Sequence, residues 1–270
     1  LTGIGDGDAD VTQTIAVTAS SSNPSLIPNP VNVSYTPSAA TGSLTYTPIS
    51  NVNGSAVITV TVTDDGGTAN SGVNSTTTTF TVAVTAVNDE PVADAQGVTA
   101  IEDVEKSITL TGSDGDPELS QTLTYILTAL PSTGTLSESS SGSVINSVPY
   151  TLSDATIFFT TLLNDVDQQT FDFKVQDNGN IDAGIGDDNE SSDATITIDI
   201  TPVNDEPIID SVSDPDPILE DAVQQIINLI GIGDGDPELN QVIEVTAISS
   251  NTALIPHPTV NYTSDQSTGT

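Results

Sequence analysis

The 270 residues contain no cysteine, methionine or tryptophan. No disulfide, thiolate metal site or catalytic thiol can be assembled from them. Cationic side chains are almost missing too: Lys106 and Lys174 are the only two, beside a single titratable His257. Against them stand 38 aspartates and glutamates, giving a formal net charge of −36. Such a surface repels nucleic acid and anionic membrane and leaves cations as natural partners. No apolar run approaches the roughly 18–20 residues that span a bilayer, and no basic-then-apolar leader opens the sequence. No membrane span or targeting segment is therefore expected within it. Aromatics are only 4% of the chain, so the expected core is built mainly from Val, Ile and Leu and is of modest stability. A disordered polyacid is the alternative, but the acidic residues are dispersed among Val, Ile, Leu and Thr runs rather than blocked together.

What is present is repetition. Gly3-Ile4-Gly5-Asp6-Gly7-Asp8 returns as Gly231-Ile232-Gly233-Asp234-Gly235-Asp236, and the match continues from Ser21-Ser22-Asn23 to Ser249-Ser250-Asn251 and from Leu26-Ile27-Pro28 to Leu254-Ile255-Pro256. A shorter mark, Ala86-Val87-Asn88-Asp89-Glu90-Pro91, reappears as Pro202-Val203-Asn204-Asp205-Glu206-Pro207. Leu110 to Glu118 resembles Ile230 to Glu238 as well. Two unlike modules of common ancestry therefore alternate. Module A spans 1–88 and lacks its first strand, module B spans 89–204, and 205–270 begin a second, truncated module A.

Period-two segments rich in β-branched residues recur at 56–62, 79–84, 170–175 and 194–200, each predicting a strand with one buried face. Breakers such as Asp65-Gly66-Gly67 and Asn178-Gly179 separate them, and no segment has a sustained helical period. Modules of this length with several short strands predict an all-β fold: tandem immunoglobulin-like Greek-key β-sandwich modules in an extended array.

Four acidic motifs recur at similar places in the modules. They are the linkers Asn88-Asp89 and Asn204-Asp205; the pairs Glu102-Asp103 and Glu220-Asp221; the Asp-Gly-Asp runs Asp6/Asp8, Asp114/Asp116 and Asp234/Asp236; and the late motifs Asp64-Asp65-Gly66 and Asp177-Asn178-Gly179. Carboxylates this close repel one another unless a cation sits among them, and Ca²⁺ accepts six to eight oxygen ligands in flexible geometry. Asn adds a neutral carbonyl oxygen, and Pro stiffens entry to the next strand. Each motif alone also marks an ordinary turn. Their joint recurrence is what points to an ion site at a module junction.

These motifs resemble the cadherin-like tandem repeats of giant bacterial surface adhesins, including gliding-type adhesins of Bacteroidota. Asn-Asp-Glu-Pro resembles the cadherin linker, Asp114-Gly115-Asp116 its paired aspartates, Asp177-Asn178-Gly179 its late aspartate and Glu102 its early glutamate. Asp165-Val166-Asp167 resembles the acidic motif before the last strands. The resemblance implies one Ca²⁺ site joining Asn88, Asp89, Asp114, Asp116 and Asp177 with acidic residues of the preceding module, and another joining Glu102, Asp165, Asp167, Asn204, Asp205, Asp234 and Asp236. The linker here is shorter than the cadherin one, and the Glu-Asp pair fits either its own junction or the one above. One ion per junction and three both stay open.

The function this implies is a structural repeat segment of a long extracellular, cell-surface adhesin or filament, with calcium rigidifying the module junctions to project a distal adhesive region. Its partners would be neighbouring modules of the same chain and laterally associated chains. A glycan- or surface-binding sandwich is the alternative, but aromatics are scarce and Thr76–Thr79 reads as one short run without regularly spaced partners. An enzyme is not expected, because the acidic pairs occupy repeated, equivalent positions and no His or Cys accompanies the hydroxyls. Lys106 and Lys174 read as solvated surface lysines rather than isopeptide partners, and His257 as a loop residue standing where the first copy has Asn29.

Overall fold

The structure, a computed structural model, describes residues 1–179 and 189–270. Among them there is no α-helix. The strands are β1 (Ile15–Ser21), β2 (Asn32–Tyr35), β3 (Gly42–Thr45), β4 (Gly54–Asp64), β5 (Ser75–Val84), β6 (Val92–Ala93), β7 (Gln96–Ile101), β8 (Lys106–Thr109), β9 (Gly112–Ser113), β10 (Leu123–Leu127), β11 (Thr135–Ser137), β12 (Tyr150–Thr151), β13 (Thr156–Thr160), β14 (Gln169–Asp177), β15 (Ala194–Thr201), β16 (Leu229–Ile230) and β17 (Thr268–Gly269). All four segments with alternating patterns lie in strands, in β4, β5, β14 and β15.

Two compact units form. The first comprises Leu1–Val92, Ser113–Leu123 and Gln176–Ser191; the second comprises Ala93–Gly112, Thr124–Val175 and Ser192–Thr270. The loops that carry Asp114/Asp116 and Asp177 thus belong to the same unit as the linker Asn88-Asp89.

In unit 1 the sheet runs β1-β4-β5, all antiparallel, beside the hairpin β2-β3. Alternation of β-branched residues turns Ala56, Ile58 and Val60 inward against Ala19, Leu26, Ile27 and Val31. The opposite face aligns Thr18 with Thr61 and Thr77, and Ser20 with Thr59 and Thr79. The threonines of β5 therefore have regular partners across three strands, contrary to the reading of a lone run. Strand pairing, invisible in one segment taken alone, supplies that regularity.

In unit 2 a five-stranded sheet runs β12-β10-β14-β15-β7, and a three-stranded sheet runs β11-β13-β8. The connections from β8 to β10 and from β13 to β14 cross between sheets, the Greek-key arrangement of a sandwich. Here the core departs from expectation. Phe159, Phe171 and Phe173 are its largest fully buried side chains. Three of the five phenylalanines in the chain are thus concentrated in one interior, so a low aromatic count does not mean a core of small residues. Burial of each such side chain is worth about 1.5–3 kcal/mol.

In the second module A, β16 pairs with β17 as Leu1 hydrogen-bonds Gly42 in the first. Residues 240–260 contain no strand, although Ile243–Ser249 matches β1 in sequence. β1 owes its form to pairing with β4, and no copy of β4 is available to Ile243–Ser249 among the described residues. A period-two pattern without a ladder partner leaves its N–H and C=O groups to water.

Candidate metal sites

The Asp-Gly-Asp runs fold into the same loop three times. The first aspartate accepts a backbone N–H seven residues on: Asp6 from Gln13 at 3.0 Å, Asp114 from Gln121 at 2.7 Å, and Asp234 from Gln241 at 3.1 Å. One oxygen of the second aspartate caps the turn that follows. Asp116 accepts from Glu118 at 2.9 Å and Leu119 at 3.0 Å, and Asp236 from Glu238 at 3.2 Å and Leu239 at 2.8 Å. Its other oxygen accepts the glutamine Nε2, from Gln13 to Asp8 at 3.0 Å, Gln121 to Asp116 at 3.0 Å and Gln241 to Asp236 at 2.8 Å. The loop is therefore closed by its own carboxylates, which is an Asx-type turn device.

The late motif locks the same loop from the other side. Asp65 accepts the Thr14 N–H at 2.8 Å and Asn178 accepts the Thr122 N–H at 2.9 Å, while Asp64 and Asp177 accept Gly66 and Gly179 N–H at 2.9 and 2.8 Å. The same pattern of bonds recurs in both copies.

The linkers sit directly on the loops. A Cβ on Gly115 (φ +74°) would strike the Glu90 carbonyl oxygen, and one on Gly235 (φ +79°) would strike that of Glu206. Gly7 (φ +70°) has nothing within 4 Å. Only glycine fits the first two positions, both for its φ and for the approach of the linker backbone.

In unit 1 this packing gathers acids. Asp89, Asp116 and Glu118 each offer a carboxylate oxygen within 4.8 Å of the others. Asn88 is buried beside them: its Oδ1 accepts from Gln121 Nε2 at 2.5 Å, and its Nδ2 donates to Asp177 at 3.4 Å. The buried Glu118 Oε2 and Gln121 Oε1 have no hydrogen-bond partner. Burial, then the neighbouring Asp116 carboxylate and the Asp89 charge, pushes the Glu118 pKa up. For Asp116 burial works the same way but is outweighed by the N–H groups of Leu119 and Glu118, so its pKa falls.

The corresponding residues of unit 2 are Glu102, Asp205, Asp236 and Glu238. Asn164 Nδ2 donates to Asp205 Oδ2 at 3.0 Å, and the Asp205 backbone N–H helps to lower the pKa of Asp236. Glu102, 1% exposed, accepts the Val203 N–H through Oε1 and leaves Oε2 buried without a partner. Both Glu238 carboxylate oxygens are buried without partners. Its pKa is raised by burial first, then by Asp236 and the Glu102 charge. Asp236 is lowered because N–H donors led by Leu239 outweigh its burial.

Of the residues singled out in the sequence, Asn88, Asp89, Asp116 and Asp177 come together in unit 1, and Glu102, Asp205 and Asp236 in unit 2. Asp114 and Asp234 each accept one backbone N–H, from Gln121 and Gln241. Asp6 and Asp8 close their own exposed loop, and Asp64 caps Gly66. Asp165 accepts the Asp167 N–H within its own turn and the hydroxyl of the distant Thr133; its neighbour Asn164 is the residue that reaches Asp205. Asn204 is exposed and bonds the Asp205 carbonyl at 3.0 Å. Asp103, Glu220 and Asp221 are exposed. Sequence reasoning overlooked Glu118, Glu238, Gln121 and Gln241. A signal was there: Pro-Glu follows Asp-Gly-Asp in two copies, and a glutamine stands seven residues after the first aspartate in all three.

Comparison with solved structures finds cadherin ectodomains and S-layer domains. Human mucin-like protocadherin EC1-2 is 17% identical over 74% of this chain and 93% of that one, with a TM-score of 0.38. Human protocadherin-24 EC1-2 is 16% identical over 68% and 81%, with a TM-score of 0.43. Domains 4 and 5 of the S-layer protein SbsC are 20% identical over 74% of each chain, with a TM-score of 0.25. No protein-family model matches the chain, and no curated protein matches it.

Proposed function

We propose that the chain is a structural repeat segment of a long extracellular adhesin or filament, in which calcium fixes each linker against the Asp-Gly-Asp loop that follows it. One observation carries the reading: the clustered carboxylates of Asp89, Asp116 and Glu118 coincide with a buried Glu118 oxygen that lacks a partner, and the corresponding region of unit 2 buries unpartnered oxygens of Glu102 and Glu238. A buried anionic oxygen without a donor costs several kcal/mol unless it is neutralised or paired. The donor set is all oxygen, which suits a hard cation such as Ca²⁺ and offers nothing to a metal that prefers nitrogen or sulfur.

Asp89, Asp116 and Glu118 would hold the ion in unit 1, and Glu102, Asp205, Asp236 and Glu238 in unit 2. Bound calcium supplies the positive charge that lets these groups stay ionised side by side. The rest is done by the chain: the turn N–H groups and Gln121 or Gln241 orient the second aspartate, and the linker backbone lies against the loop glycine. A site of this kind stabilises its folded module by about 1.4 kcal/mol at a tenfold excess of calcium over its dissociation constant. Extracellular modules commonly bind at about 10⁻⁴–10⁻³ M.

The test is the melting temperature titrated with CaCl₂, MgCl₂ and NaCl at matched ionic strength. A selective, saturable rise with calcium is expected. Equal rises with all three salts would leave only charge screening of an acidic surface. A glycan- or surface-binding role has one observation in its favour, the uncharged rows of Thr18, Ser20, Thr59, Thr61, Thr77 and Thr79 on the exposed face of the first sheet. Retention of the chain on glycan arrays would favour it; the structural reading expects none.

A further inference from the structure

Charge is distributed very unevenly along this chain. Of its 38 acids, only Asp64 and Asp65 fall between residues 11 and 88, and neither lysine does. The body of the first sandwich is therefore close to neutral in a molecule of net charge −36.

One side of that body is also broad and regular. On the face of the β1-β4-β5 sheet turned away from the core, Thr18, Thr61 and Thr77 form one row and Ser20, Thr59 and Thr79 the next. Ala83 continues the same face along β5, opposite Ser55. The residues of β1 and β5 in these rows are exposed, and those of β4 between them are half-buried.

Unit 2 carries charge at the equivalent positions. Aligning Asp64-Asp65-Gly66 with Asp177-Asn178-Gly179 sets Thr59 and Thr61 against Asp172 and Lys174, and aligning Asn88 with Asn204 sets Thr79 and Ala83 against Thr195 and Asp199. The two alignments agree in space, because Thr59 lies opposite Thr79 as Asp172 lies opposite Thr195. In that sheet β7 is paired along the edge of β15, yet Thr170, Thr195 and Asp199 are exposed on the same face. A strand at the edge does not cover the face, so its openness belongs to the sheet itself.

Two chains this acidic repel one another across most of their surfaces, within a range of about 8 Å in physiological salt. Close approach is least opposed where neither partner carries charge, and charged residues are depleted from the centres of protein interfaces. The β2-β3 hairpin on the other side of the sandwich is uncharged as well, but it offers only two strands of four residues each. A face three strands wide and as long as β4 covers roughly 500 Å², so a pair buries roughly 1,000 Å², the lower limit of a specific interface. Set against its own copy, the face meets the same strand spacing, the same hydroxyls and methyls, and no charge.

We propose that the outward face of β1, β4 and β5 is a contact surface for the same face of a second copy of this chain, the two sheets stacking about 10 Å apart around a two-fold axis. Such a contact is weak between single modules and strengthens where the module recurs along both chains. The proposal rests on the structural reading above, to which it adds the face used for lateral association, and not on the calcium sites.

The experiment is sedimentation velocity of the 270-residue chain over a concentration series, in EGTA and in CaCl₂, at low and at physiological NaCl. A monomer–dimer equilibrium is expected in both, strengthened by NaCl as the remaining charge is screened. Thr59→Asp with Ala83→Asp, which introduces the acids that unit 2 carries, should weaken pairing about tenfold or more while the circular dichroism stays that of the parent. Should that double substitution disturb the fold, Thr61→Lys, the residue of unit 2, is expected to weaken pairing as well. Ser43→Asp with Thr45→Asp adds the same charge to the hairpin side and should leave pairing unchanged. A chain that stays monomeric throughout, or that loses pairing equally with both double substitutions, overturns the proposal. Retention of such a monomer on glycan arrays, lost with Thr59→Asp and Ala83→Asp, would assign the face to a glycan instead. Pairing only in calcium would place the contact at the acidic clusters and overturns the proposal too. Because equal pairing is expected in EGTA and calcium, its failure leaves the calcium reading standing, and a melting temperature indifferent to calcium leaves the pairing standing.

Discussion

Two linkers with the same four residues, Asn-Asp-Glu-Pro, end in different environments. In unit 1 the linker and its loop gather three acids, Asp89, Asp116 and Glu118. In unit 2 the same elements are joined by Glu102, because β7 is paired along β15 and carries that glutamate into the site. Asn88 is buried against Gln121 and Asp177, whereas Asn204 is exposed. Linker and loop supply the constant part of the site; the entering strand and the late motif decide how many groups surround it.

The largest expected effect comes from removing the frame beneath one site and not the other. Phe171→Ala in β14 should cost about 3–5 kcal/mol, from lost burial and the cavity left behind. Urea unfolding in calcium should then show the unit 2 transition moved and that of unit 1 in place.

Next come the three loop glycines, which sharpen the comparison. Gly115→Ala and Gly235→Ala add a Cβ at positive φ against the linker carbonyl and should each cost about 2–4 kcal/mol. Gly7→Ala, with the same backbone angle but open space, should cost about 1 kcal/mol. Thermal melts of the three variants check this, and equal losses would mean that the linkers do not rest on the loops. Gln121→Ala follows, at about 1–3 kcal/mol, because it strands the buried Asn88 oxygen. Gln13→Ala loses an exposed bond to Asp8 and strands no buried partner, so it should cost about 0.5 kcal/mol.

The smallest effect is on pH dependence without divalent cations. Glu118 and Glu238 have raised folded pKa values, so their contribution is fully present below the unfolded value of 4.5 and lost as pH rises through the folded value. Asp116 and Asp236 are lowered, so theirs is present above 3.8 and lost as pH falls through the folded value. In EGTA, a chain carrying Glu118→Gln and Glu238→Gln should therefore lose less stability than the parent between pH 4 and 7. Melting curves across that window read the difference.

Much of the fold was legible because strands and turns announce themselves locally. The alternation in Ala56–Val62 and Thr170–Val175 marks one buried face, and Asp-Gly-Asp marks a turn. What stayed hidden depends on pairing across the chain. The concentration of Phe159, Phe171 and Phe173 in one core, and the alignment of Thr18 with Thr61 and Thr77, cannot be read from any single segment. The acidic clusters were partly legible for the same reason. Recurrence located the linkers and loops, but nothing in the spacing says that Asp114 spends a carboxylate oxygen on the Gln121 N–H. Nor does it say that Glu118 comes within 4.8 Å of Asp89 and Asp116.

The most direct measurement is the melting temperature of Glu118→Gln and Glu238→Gln chains against the parent, each in EGTA and in saturating calcium. If the clusters are cation sites, both substitutions raise stability in EGTA, where they remove repulsion, and lower it in calcium, where they remove a ligand. A change of the same sign under both conditions would contradict the account, leaving the clusters as turn-capping acids with no ion to hold.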